Sequence, residues 1–295
     1  MKKVSLLAVF TIILVGCAHF EKQPEYTALI SPDGRNDLRL YLSPLAYEVV
    51  RDGVVVVAKS PIDMKINGKS LAAEAALHPP KITYEKLKGV ESTAIYKKSE
   101  ISLEAHSKFV DFGDWGIRCI SRNDGVAYRF ETKMDGEITV DSEKASLVIP
   151  TGSAKCWAHK TDKVGCEETI PLSTTIGALE TKRDEMIYLP MAYTLKDKCV
   201  AVAESDVRDY PILNFTKATG NTLFNSKFAC SPLRVVHTAN ASPSDWKNRV
   251  VLSEGGRWID VKEFDKFLTE TKGTRTFPWR TFILADSLIR FGEAL

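Results

Sequence analysis

From Tyr26 onward, apolar and polar positions alternate in short bursts that turn residues interrupt. Asp37 to Ser43 (DLRLYLS) alternates with the period of a strand. LAYEVVRDGVVVVAKS divides into two strands at Asp52-Gly53, a dipeptide suited to a tight hairpin because both central positions take positive φ. The same pattern predicts strands in ISLEAHSKFVDF, WGIRCIS, VAYRFETKM, KASLVIP, MIYLPMAYTL, CVAVAES and TLFNSKF. Many short strands separated by Asn, Asp and Gly turns predict an all-β, antiparallel β-sandwich. The absence of a βαβ rhythm disfavours a doubly wound sheet. One short helix is predicted near the C-terminus. Asp260 can cap it, Glu263 three residues on completes a capping-box pattern, Val261, Phe264, Phe267 and Leu268 give an apolar face, and Gly273 stops it. Ser231 to Arg257 is polar and turn-rich and reads as a long surface excursion.

The chain start breaks this pattern. Lys2 and Lys3 precede an apolar run from Val4 to Val15, too short to span a bilayer comfortably and flanked like a secretory signal. The run ends in Leu14-Val15-Gly16-Cys17, which resembles a bacterial lipobox, with Cys17 as the lipid attachment site. Residues 1–17 are thus expected to be a lipoprotein signal peptide and lipobox. Processing there leaves about 280 residues, held to a bacterial membrane by acyl chains and enough for one large or two small cores. That placement is extracytoplasmic, on the periplasmic face or the cell surface. The formal net charge of +2, with no basic stripe interleaved with aromatics, argues against a nucleic acid partner. Besides Cys17 the chain carries Cys119, Cys156, Cys166, Cys199 and Cys230. Cys156 with Cys166 would close the shortest disulfide loop, while small buried hydrophobes are an equal reading for most of them.

Candidate chemistry is sparse. His19, His78, His106, His159 and His237 show no metal-ligand spacing, and there is no HExxH, CxxC, GxSxG or phosphate-binding glycine loop. Acidic groupings occur at Glu167-Glu168 and at Glu204 with Asp206 and Asp209. Adjacent strand residues face opposite ways, so Glu167 and Glu168 cannot share a pocket without a bulge. Glu167 therefore reads either as a solvated loop acid or as a ligand contact. Arg122-Asn123-Asp124-Gly125 reads as a hairpin turn. Trp157, Trp115 and Trp246 could stack on a sugar face, although packing in the core or its rim is the commoner role of such residues.

Four motifs in order carry a resemblance: LISPDGRNDLRLYL, SRNDGVAYRFE, CVAVAESDVRDYPILNF and TKGTRTFPWRTFILAD. Together they resemble the amino-terminal domain of glycoside hydrolase family 97, whose members carry α-glucosidase and α-galactosidase activity. The resemblance implies a galactose-mutarotase-like β-super-sandwich over residues 26–295, which in the family precedes a catalytic (β/α)8 barrel. The chain ends about where that barrel would begin, so no catalytic residue is assigned and no glycosidase activity is expected of the chain by itself. Glycosidases need two carboxylates flanking one bond, and in the family the principal acids lie on the barrel.

In characterised members one glutamate of this domain helps hold a calcium ion. The corresponding interval runs from Val148-Ile149-Pro150 to Pro171-Leu172-Ser173, and counting from its two ends places that glutamate at Val164 or near Trp157. Neither is an acid, and Glu167 lies three residues from Val164. No metal ligand is therefore assigned. Calcium would be expected only where a barrel partner completes the site, since the ion takes about six to eight oxygens. The resemblance implies a lipid-anchored carbohydrate-binding or accessory domain for α-linked gluco- or galacto-oligosaccharides, with Trp157 and Glu167 as sugar contacts. The alternatives are half of an α-glycosidase needing a separately encoded barrel-domain protein, and a structural lipoprotein with no ligand.

Overall fold

In the computed structural model, the residues described are 26–92, 99–161, 171–182, 185–238, 249–251 and 258–287. Strands β1 (Tyr26–Ile30), β2 (Asn36–Leu42), β3 (Leu45–Arg51) and β4 (Val54–Ile66) form an antiparallel meander. After β5 (Lys69–Ser70) and helix α1 (Leu71–Ala75), a second meander contains β6 (Lys81–Ser92), β7 (Glu100–Asp111), β8 (Trp115–Arg122) and the long β9 (Gly125–Ala145). Then come β10 (Leu147–Val148), β11 (Lys155–Thr161), β12 (Leu172–Thr175), β13 (Met186–Leu195), β14 (Lys198–Ser205), β15 (Asn214–Thr216) and β16 (Leu223–Lys227). The last strands are β17 (Pro232–Thr238), β18 (Arg249–Val251), β19 (Trp258–Phe264), β20 (Thr269–Thr276) and β21 (Trp279–Ala285).

The local chemistry of the expected hairpin is visible. Asp52 and Gly53 take φ of 48° and 75°, the left-handed pair whose twist matches the flanking strands β3 and β4. Larger order comes from closure. Antiparallel pairings run β4–β9–β21–β14–β13–β15–β16–β10 and back to β4, a closed circuit of eight strands. Closure satisfies backbone groups that would otherwise form open edges. The core is rich in aromatics: Tyr47, Tyr128, Tyr193, Phe215, Phe224, Phe277 and Phe282 are fully buried. The polar tips are matched, since the Tyr47 hydroxyl donates to the Ser146 carbonyl at 3.0 Å and Tyr193 donates to the Val56 carbonyl at 2.7 Å. A buried hydroxyl without a partner would oppose folding.

The expected C-terminal helix is replaced by strands. Residues 258–264 form β19, paired on one side with β17 and on the other with β18, and residues 269–276 form β20 along β9. Ile259 and Val261 are β-branched and suit that geometry. The apolar face predicted for the helix does not exist, because Phe264 is half exposed while Leu268 is buried. Gly273 is not a helix stop. It sits at a register shift between β20 and β9, where an added Cβ would lie 2.4 Å from the Met134 carbonyl oxygen. Among the described residues the helix present is α1, far from the C-terminus, with the Ser70 side chain accepting from the Ala73 amide at its start. The segment expected as a surface excursion also contains strands: β17 and β18 flank β19 in a separate three-stranded sheet.

Candidate functional site

The four motifs meet chiefly in two pairs, and the fourth also lies along the second through β21 and β9. In the first, the Ser31-to-Asn36 turn docks on the β8–β9 hairpin. The Asp33 amide donates to Asn123 Oδ1 at 3.0 Å, and Asn36 Nδ2 donates to the Arg122 carbonyl at 2.7 Å. Beside this contact Arg35 and Arg51 donate to the two oxygens of Asp286 at 2.7 and 3.0 Å, and Lys198 lies 2.8 Å from Asp52. Hydrogen bonds from Arg35, then Lys198, hold the Asp52 carboxyl well below the usual carboxylate range, and Arg51 does the same for Asp286. Both acids are about a quarter exposed, so water screens the gain. This lattice ties chain turns together.

In the second pair, Glu204 of β14 stands directly opposite Arg280 of β21 in the strand register. Side chains at opposed positions of an antiparallel pair share a face and touch. Arg280 donates through Nη1 to Glu204 Oε2 at 2.6 Å. Through Nε and Nη2 it donates to Glu143 Oε1 and Oε2 at 2.7 to 3.0 Å. The side chains of Arg280 and Glu143 are 4% and 2% exposed. Tyr210 donates to Glu143 Oε2 at 2.8 Å, and the Leu213 amide donates to both oxygens of Glu204. Two carboxylates share the one guanidinium. Burial pushes the Glu204 carboxyl up against the pull of Arg280, which turns most of its donors to Glu143.

A cavity of about 380 Å³ opens beside Glu204. Tyr188, Leu189 and Pro190 of β13, Ala203 and Glu204 of β14, and the segment Ile212 to Asn214 line it. Tyr188 and Asn214, paired across β13 and β15, are both 4% exposed and form its inner wall. Ile212 at 40% and the exposed Pro190 form its rim. Asn214 Oδ1 is buried with no hydrogen-bond partner. Such an orphan costs about 1–3 kcal/mol, and it lies behind the cavity wall rather than on it. The volume lies within the range of small-molecule sites, about 300–1,000 Å³. A smaller hollow of about 190 Å³, lined by Ile120, Val126 and Phe282 with Arg122 and Asp124 of the β8–β9 turn, is mostly apolar.

The residues singled out in the sequence are dispersed. Trp157 is half-buried in β11, paired with Ser173 and Ala192, with the Lys155 ammonium 5.1 Å from its ring centroid; it does not line the cavity. Trp115 is a core residue, stacked on Phe112 at 4.3 Å. Cys17, Val164, Cys166, Glu167, Glu168 and Trp246 lie outside the described residues. Cys119, Cys156, Cys199 and Cys230 are free thiols, and the first three are buried. Arg122 to Gly125 forms the expected turn. Its glycine is required by the close approach of β21, where a Cβ would meet the Phe282 carbonyl oxygen at 2.5 Å. Among the described residues no three His, Cys, Asp or Glu side chains converge as metal ligands, so no step through calcium is derived. Sequence reasoning missed Glu143, Tyr210, Arg280 and Asn214 as site residues. The available signal was Glu143, a charged residue at a buried register of β9.

Fold and site define a closed, antiparallel all-β domain with a small-molecule-sized cavity beside a buried ion cluster. Residues 29–291 match the family described as Glycosyl-hydrolase 97 N-terminal, and the chain belongs to that family. It is 23% identical over 303 residues to a retaining alpha-galactosidase of Bacteroides thetaiotaomicron, an alignment covering 97% of this chain and 42% of that protein. A glycoside hydrolase family 97 enzyme from Pseudoalteromonas sp. strain K8, solved in complex with acarbose, superposes with a TM-score of 0.66. That match has 13% identity and covers 88% of this chain and 36% of that one. A beta-arabinopyranosidase superposes with a TM-score of 0.64 at 15% identity, over 88% and 40%. The structural likenesses concern the fold alone. The chain spans about two fifths of the length of the relatives it matches.

Proposed function

We propose that this chain is a lipid-anchored carbohydrate-binding or accessory domain in extracytoplasmic polysaccharide use, held through Cys17 to a bacterial membrane. The observation that carries this reading is the family match over residues 29–291, together with relatives named as glycosidases. The closed circuit with its two meanders is read as the galactose-mutarotase-like super-sandwich of that family. Its ligands are α-linked gluco- or galacto-oligosaccharides, with Trp157 and Glu167 as contacts. It takes no cofactor of its own, and calcium enters only where a barrel protein supplies the remaining ligands. The test is calorimetric titration of the full chain with α-linked gluco- and galacto-oligosaccharides, with and without calcium. Saturable heat with one sugar class supports the reading; silence with every sugar removes it, and glycosidase activity in the purified chain would contradict its non-catalytic part.

A second reading, half of an α-glycosidase that docks a separately encoded barrel, is favoured by the 42% coverage of the alpha-galactosidase. It predicts activity on an aryl α-galactoside only when the two polypeptides are mixed.

A further inference from the structure

We infer that residues 206–213, the connection between β14 and β15, form a strap that Glu143 and Glu204 latch closed and that opens while the strands it joins stay paired. The inference concerns a movement of the fold and holds whatever the chain binds.

The strap contains neither helix nor strand, and Asp206, Arg208, Asp209 and Ile212 are exposed along it. Three polar contacts hold it. The Tyr210 hydroxyl donates to Glu143 Oε2 at 2.8 Å, the Leu213 amide donates to Glu204 Oε1 and Oε2 at 3.0 and 3.2 Å, and Arg275 Nη2 donates to the Arg208 carbonyl at 3.0 Å. Both acids keep their bonds to Arg280 when the strap leaves, so opening strands no buried carboxylate. Space lies on two sides. Asp209, Tyr210 and Pro211 line a hollow of about 290 Å³ with Cys230 and Leu268, while Ile212 and Leu213 line the cavity of about 380 Å³. A segment backed by hollows has few neighbours to displace. Asp206 and Asp209 take φ of 57° and 48°, the left-handed region that L-residues enter at a cost. Opening relieves that cost at both positions, so the closed form depends on its latch. The ring of Tyr210, edge-on to Phe228 and Phe277, is the apolar anchor that brings the strap back to one place.

Amide hydrogen exchange of the full chain, read by peptide mass, follows the opening, and native-state trypsin cleavage after Arg208 follows it independently. In the wild type, amides of residues 206–213 are expected to exchange well ahead of those in β14 and β15. Tyr210→Phe keeps the ring and removes one latch. Arg275→Gln removes the tie to the Arg208 carbonyl from a partly exposed position outside the acid cluster, and decides the matter if the first variant fails to fold. Each is expected to speed both exchange in the strap and cleavage after Arg208 about tenfold, the effect of one lost hydrogen bond to a charged partner or from one. Over the same interval β14 and β21 should keep wild-type protection. Unchanged strap exchange in folded variants would overturn the latch. Loss of protection in β14 and β15 at the same rate as in the strap would overturn its independent opening.

Discussion

Arg280 serves two acids at once, and no other residue type could do so in that geometry. Its planar fork gives three donor contacts to Glu143 and one to Glu204. Arg280→Met is expected to destabilise the protein by about 3–5 kcal/mol, because two buried carboxylates lose their counter-charge. Arg280→Lys should recover little, since one ammonium cannot reproduce the fork; urea midpoints of the two variants would check both points. The acids also set opposing pH dependences. Glu204 titrates higher in the folded state than its ordinary 4.5, so its contribution is fully present below that value and is lost as pH rises through the folded pKa. Asp52 and Asp286 titrate below their ordinary 3.8, so their contribution is present above it and is lost as pH falls. Melting temperature against pH should therefore decline less on the alkaline side of 4.5 for Glu204→Gln, and fall less steeply below 3.8 for Asp286→Asn. Sequence reading did notice Glu204, but grouped it with Asp206 and Asp209, which are exposed or partly so. What separates them is a partner 76 residues away, and another carboxylate 137 residues from that partner, distances that no local pattern encodes.

At the scale of elements, legibility followed the presence of one buried face. The first half of β9 alternates cleanly between buried and partly buried positions, β2 and β8 do so over most of their length, and this alternation was visible in the sequence. β6 was not anticipated, because it is exposed on both faces and has no apolar period to read. The predicted C-terminal helix failed for a different reason: strand pairing with β17, β18 and β9 overrode a local capping pattern. Glycines test these contacts directly. Gly125→Ala and Gly273→Ala drive a methyl group into backbone carbonyl oxygens of a paired strand and should each cost about 1–3 kcal/mol. Gly53→Ala meets open space, and its cost of about 1–2 kcal/mol comes from its positive φ alone. Chemical denaturation would distinguish a penalty that shrinks when Phe282 or Met134 can move from one that no neighbour can relieve.

At the scale of the molecule, the eight-strand circuit joins the first meander, β9 and the later strands into one hydrogen-bonded loop, and both motif pairs brace it. Asp286 follows β21 and is gripped from the β1–β2 turn and from β3, while Arg280, within β21, grips β9 and β14. The FPWR motif thus acts as a structural tie. Anchoring belongs to this scale as well. On the proposed reading, Cys17→Ala moves the chain from the membrane to the soluble fraction, which cell fractionation would detect.

The buried thiols give this architecture a built-in timepiece. Burial pushes the Cys119 thiol up to about 12 and that of Cys156 to about 11. A maleimide at neutral pH, which is attacked by the thiolate, will therefore modify neither while their strands stay closed. Cys119 lies between β7 and β9, and Cys156 in β11 between β12 and β13. Adducts at each, counted by peptide mass against time, would report how often those two parts of the molecule open. Matching rates would mean that the closed circuit and its flanking strands come apart as one body.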